Sequence, residues 1–137
     1  MFEAYCREKI GPLVLRIALG LVCAYHGFLK ITSHGGMEWA PGMAVGWQLL
    51  IAWGEFCGGA AILVGFYCRW AALLVLIVTI AELSWARGWT VFKLPLTHLE
   101  PLFMLLLMGV ALLFLGAGEM SIDGRLGLAG GRGAKRK

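Results

Sequence analysis

WQLLIAWGEFCGGAAILVGFY, residues 47–67, carries one formally charged side chain, Glu55. A membrane-crossing helix needs roughly 20 predominantly apolar residues, and this run supplies them. A carboxylate in hydrocarbon costs about 2.5–3.5 kcal/mol even on the gentlest insertion scale. Glu55 must therefore face other helices or a polar cavity. Its neighbours at helical spacing are Ala52, Gly58, Gly59 and Ile62. Small residues on one face let helix backbones approach closely, so that face, and the carboxylate with it, points into a bundle.

Three more apolar runs flank this one, at about Pro12–Ile31, Trp70–Arg87 and His98–Ala117. Gly11-Pro12 suits the first start, because proline is tolerated at the first helical position. Pro95 and Pro101 punctuate the last run; with Pro101 as its first helical residue, Glu100 caps that helix and His98 lies in the preceding loop. The tight connection around Cys68-Arg69 makes the second and third spans antiparallel neighbours. A glycine-rich loop, residues 32–46, has room for a short re-entrant piece, and residues 2–10 for a helix lying on the membrane surface.

Composition agrees. The 137 residues are 60% hydrophobic and 15% charged, with a mean hydropathy of +0.80. Soluble domains are about 45–50% apolar and about 25% charged. The expected fold is all-α: an integral membrane four-helix bundle over residues 1–126, followed by a flexible basic tail, 127–137. The polar start of the chain argues against a cleaved signal peptide. With the N-terminus inside, Arg7, Lys9, Arg16, Arg69, Arg125 and the tail lie on one side, against Lys30, Arg87 and Lys93 on the other. Both termini are thus expected in the cytoplasm, in a multi-pass protein of the inner (plasma) membrane. Trp39, Trp47, Trp85 and Trp89 then read as an outer aromatic belt. The tail reads as a positive-inside anchor, not a nucleic-acid contact.

Helix direction gathers most of the remaining ionisable groups at one end. His26 and Lys30, four apart, share a face near the outer end of the first span. Glu55 lies roughly 12 Å below the start of the second. Glu82 is in the outer third of the third span; His98 and Glu100 begin the fourth. Depth points Glu55 towards Lys30 or His26, either as an ion pair fixing helix register or as a functional site. For Glu82 a structural role near the rim is favoured, and Arg16 is expected to snorkel to the cytoplasmic interface. No metal site is expected: His98 and Glu100 lack the Glu-x-x-His spacing of di-iron bundles. Cys6, Cys23, Cys57 and Cys68 show no C-x-x-C spacing, and Cys23 and Cys57 read as small core hydrophobes.

Three stretches together resemble the DoxX family of small four-helix membrane proteins. The first is Arg16-Ile-Ala-Leu-Gly20 with His26-Gly27-Phe-Leu-Lys30. The second runs from Glu55-Phe-Cys-Gly58-Gly59 through Gly65-Phe-Tyr-Cys-Arg69 to Ala72. The third is Glu100, then Gly116-Ala-Gly118-Glu-Met-Ser121-Ile-Asp123-Gly-Arg-Leu126. The resemblance spans about residues 12–126 and singles out His26, Lys30, Glu55 and Glu100. The family is named for a subunit associated with an archaeal quinol oxidase, and relatives belong to other redox or thiol-stress complexes. It therefore implies a membrane subunit of a redox complex that interacts with a quinone and with partner subunits. Glu55, His26 and Lys30 are then the candidate catalytic groups. Glu82, His98 and Glu100 join them as candidate binding residues. Two other readings stay open. One is an anchoring subunit whose Ser121–Asp123 segment and tail dock a cytoplasmic partner; the other is a small proton-linked transporter.

Overall fold

A computed structural model describes residues 9–33, 39–86, 100–118 and 120–126. Its helices are α1 (Gly11–Ser33), α2 (Val45–Val64), α3 (Cys68–Ala86), α4 (Glu100–Leu115) and the single-turn α5 (Ile122–Arg125). Helix α1 packs on α2, α2 on α3, α3 on α4, and α4 returns to α1. Among the described residues, three stretches are long and apolar enough to cross a membrane: Gly11–Thr32, Val45–Val64 and Cys68–Trp85. Helix α4 adds a shorter apolar stretch, Phe103–Leu115. The N-terminal surface helix up to residue 8, the loop holding His98, and the basic tail all fall outside the described residues.

Polarity is distributed as a hydrocarbon solvent demands. Val14, Leu21, Phe28, Trp53, Ile77 and Phe114 are exposed, while Arg16, Gln48, Glu55 and Asp123 are buried. Exposed apolar surface on this scale marks contact with membrane or protein. The face of α2 predicted to turn inward does so: Ala52, Glu55, Gly58, Gly59 and Ile62 are all buried. Cys23 is buried as expected, but Cys57 is exposed. It lies two residues from Glu55, nearly half a helical turn round, so burying one exposes the other.

Glycine sets the closest helix crossing. A Cβ added to Gly27 would stand 2.4 Å from Phe56 N, and one added to Gly59 the same distance from Ala24 N. Helices α1 and α2 therefore meet backbone to backbone, in a way only small residues permit.

The turn between α2 and α3 falls earlier than predicted, at Gly65–Tyr67 rather than around Cys68-Arg69, and α2 ends at Val64 instead of Tyr67. Gly65 is left-handed (φ 76°), and its N–H and that of Phe66 return to Ala61 O at 2.9 and 3.0 Å. This is the ordinary glycine stop of a helix. Tyr67, also left-handed at φ 45°, occupies a conformation costly for a residue with a Cβ.

Two charged side chains hold that end together. Arg16 is 2% exposed and does not snorkel. Its Nε donates to Ile62 O (3.2 Å), Nη2 to Leu63 O (3.1 Å), and Nη1 to Ala117 O (2.9 Å) and Met120 O (3.3 Å). These carbonyls sit at or just beyond the C-terminal ends of α2 and α4, where acceptors lack helical partners and the dipole favours a cation. Asp123 does the converse for α3, accepting from Tyr67 N (2.8 Å) and Cys68 N (2.7 Å). Asp123 N donates to Gly65 O at 3.0 Å, and Ser121 Oγ caps α5 by accepting from Gly124 N at 2.9 Å. The Ser121–Asp123 segment, read from sequence as a dock for a partner, is thus engaged within its own chain.

Candidate functional site

At the opposite end of the bundle, three helices contribute one ionisable group each. Lys30 Nζ of α1 lies 2.6 Å from Glu55 Oε2 of α2 and 2.6 Å from Glu82 Oε2 of α3. Side-chain exposure rises from 4% at Glu55 through 15% at Lys30 to 24% at Glu82, so the group runs from the interior towards the surface.

Helix geometry explains how residues at different heights meet. Gly27 is level with Phe56, and Gly54 with Val78. Lys30 therefore stands about two residues, some 3 Å, and Glu82 about five residues, some 7–8 Å, beyond the level of Glu55 along α1 and α3. Side chains in a helix lean towards its N-terminus. For α1 and α3, which run antiparallel to α2, that lean brings the ammonium and the carboxylate back into the bundle and onto Glu55.

A turn closes over the lysine. Trp39 stacks on it, with Nζ 4.6 Å from the ring centroid. Trp39 packs against Ala40, Met43, Ile51 and Val78. The turn is tied by Met43 N to Ala40 O at 3.1 Å. It is clamped to α2 by buried Gln48, whose Oε1 accepts from Ala40 N (3.3 Å) and whose Nε2 donates to Met43 O (2.8 Å). The indole Nε1 of Trp39 is buried and, among the described residues, has no acceptor. Beside the turn is an apolar groove of about 120 Å³, lined by Met43, Trp47, Ile51, Ala81 and Trp85.

Of the six residues read from sequence, the structure brings together Lys30, Glu55 and Glu82. His26 is exposed on α1, its ring 6.4 Å from that of Tyr25, and it makes no hydrogen bond to the triad. Glu100 opens α4, but its side chain, like the whole of His98, lies outside the described residues. Sequence reasoning missed Trp39 and Gln48. Trp39 passed as an interface anchor, although it packs on Lys30. Gln48 left one signal, an amide in an apolar run, which ought to have demanded a partner.

Two carboxylates share one ammonium, so the ionised triad carries one net negative charge. In low-dielectric surroundings such an excess calls for one more proton or cation. Lys30 has three N–H donors and, among the described residues, two are taken, both by the carboxylates. The site can thus hold a proton on a carboxylate and offer a donor to an acceptor oxygen.

A family model described as DoxX matches residues 11–88, more than half of the chain. No curated protein and no solved structure matches it. With its apolar helices, the match makes this a multi-pass membrane protein in contact with lipid.

Proposed function

The chain belongs to the DoxX family, and from that premise we propose that it is a membrane subunit of a redox complex, with the Lys30–Glu55–Glu82 triad serving a quinone. The reading takes α4 as a fourth span, both termini as cytoplasmic, and the membrane as the inner (plasma) membrane. The observation that carries it is the single ammonium held by two carboxylates inside an apolar bundle. Ionisable groups at such depth mark proton or ligand sites by default.

The residues suit the ligand. Quinone sites pair an apolar slot with a few well-placed polar groups, and here the groove and the remaining Lys30 donor lie at the same end of the bundle. A quinone held here would supply two-electron, two-proton redox chemistry, with the electrons coming from a partner subunit. Lys30 would hold such a ring by donating to a carbonyl oxygen. Glu82, the more exposed carboxylate, exchanges protons with the surface. Glu55, the more buried, holds a proton within reach of Lys30 and passes it on.

Gentle purification from native membranes tests this reading. Mass spectrometry is expected to find redox subunits at fixed stoichiometry, and solvent extraction to release quinone. A fixed partner without quinone favours the anchoring role, with the triad only pinning three helices in register. Absence of both a partner and quinone overturns the proposal.

A further inference from the structure

We infer that Trp39 is a binding residue of this site, its indole N–H donating to an acceptor oxygen of the ring compound that Lys30 faces. The inference rests on the quinone reading above and adds a residue that neither the sequence nor the family resemblance singled out.

Trp39 Nε1 is buried without an acceptor among the described residues. Buried polar atoms are nearly always paired, and a buried Trp N–H usually finds a partner. Two carboxylates lie across the ammonium on which the indole stacks, yet neither receives its proton. The ring is held where it is, packed on Ala40, Met43, Ile51 and Val78, with its turn clamped by Gln48. Lys30 adds a second donor, because two of its three N–H groups are used. The site thus presents two donors side by side and wants acceptor oxygens.

Charge and shape narrow the ligand further. With one proton on its carboxylates the triad is neutral, so a charged ligand finds no net charge to pair with. Met43 and Ile51 belong both to the cluster under Trp39 and to the apolar groove. An apolar body in the groove therefore lies against residues that also pack under the indole. A neutral ring bearing carbonyl oxygens meets all three conditions.

Paired ligands isolate the hydrogen bond from the apolar contact. Duroquinone and durene share a methylated six-membered ring, but only the first has carbonyl oxygens, and its full substitution prevents it from alkylating the exposed Cys57. Equilibrium dialysis against the purified full-length chain in detergent gives the ratio of their dissociation constants. The wild type is expected to prefer duroquinone. Trp39→Phe should reduce that preference about fivefold to tenfold, the worth of one hydrogen bond, while both variants keep a ring over Lys30. Benzothienylalanine at position 39 replaces the N–H with sulfur at nearly unchanged shape, and should do the same if Trp39→Phe is poorly folded. A preference retained in these variants overturns the role of Trp39 and leaves the quinone reading standing. A wild type that binds durene as tightly as duroquinone overturns both.

Discussion

Lys30 balances one positive charge against two negative ones, and that arithmetic ranks its substitutions. Lys30→Met leaves two carboxylates facing each other without a cation, which should lower stability by about 3–5 kcal/mol. Glu82→Gln removes the excess charge, preserves the Lys30–Glu55 pair, and acts at the more exposed end; its cost should stay within about 1 kcal/mol. Thermal unfolding in detergent should rank the midpoints as wild type and Glu82→Gln close together, with Lys30→Met well below. The sequence narrowed the partner of Glu55 to Lys30 or His26, since an apolar span with one carboxylate demands a partner at matching depth. Arg16 was not legible. Its partners are backbone carbonyls at helix ends, which carry no residue signature, so an arginine four residues into a span read as a snorkelling side chain. Trp39 was hidden for a similar reason: a tryptophan near a span's end fits the interface as well as it fits the top of a lysine.

Helices α1 and α2 cross where glycine permits, and the triad depends on that crossing. A methyl group at Gly27 or Gly59 meets backbone of the facing helix, which cannot move aside as a flexible side chain can. Gly27→Ala should therefore destabilise by about 1–3 kcal/mol and draw Lys30 away from Glu55. Gly46, also in α2, has nothing within 4 Å of an added Cβ, so Gly46→Ala should be stabilising by up to about 1 kcal/mol through helix propensity. Denaturation midpoints of the two variants should move in opposite directions. The four apolar runs and the inward face of α2 followed from hydropathy and small-residue spacing. The end of α2 did not, because Phe66 and Tyr67 are as apolar as the helix before them. The left-handed Gly65 and the reach of Asp123 from far along the chain decide the turn.

Across the molecule, charges work at both ends in different ways. At one end Arg16 and Asp123 satisfy helix termini and fasten residues 116–126 to the α2–α3 turn; at the other, Lys30 gathers two carboxylates around a donor-rich, partly apolar site. Arg16→Lys cannot reproduce a four-carbonyl fork with a single ammonium. Hydrogen exchange across residues 116–126 should then rise about tenfold or more, as the loss of a charge-assisted bond implies, while exchange around Gln48 stays unchanged. The function assigned to the far end rests on Glu55 handling a proton rather than merely pairing with Lys30. Glu55→Gln in the purified complex separates the two, since the amide still accepts a hydrogen bond from Lys30 but carries no titrating proton. Quinone turnover should fall about tenfold or more with the complex still assembled and quinone still bound. Turnover at the wild-type rate in an intact Glu55→Gln complex would contradict the account.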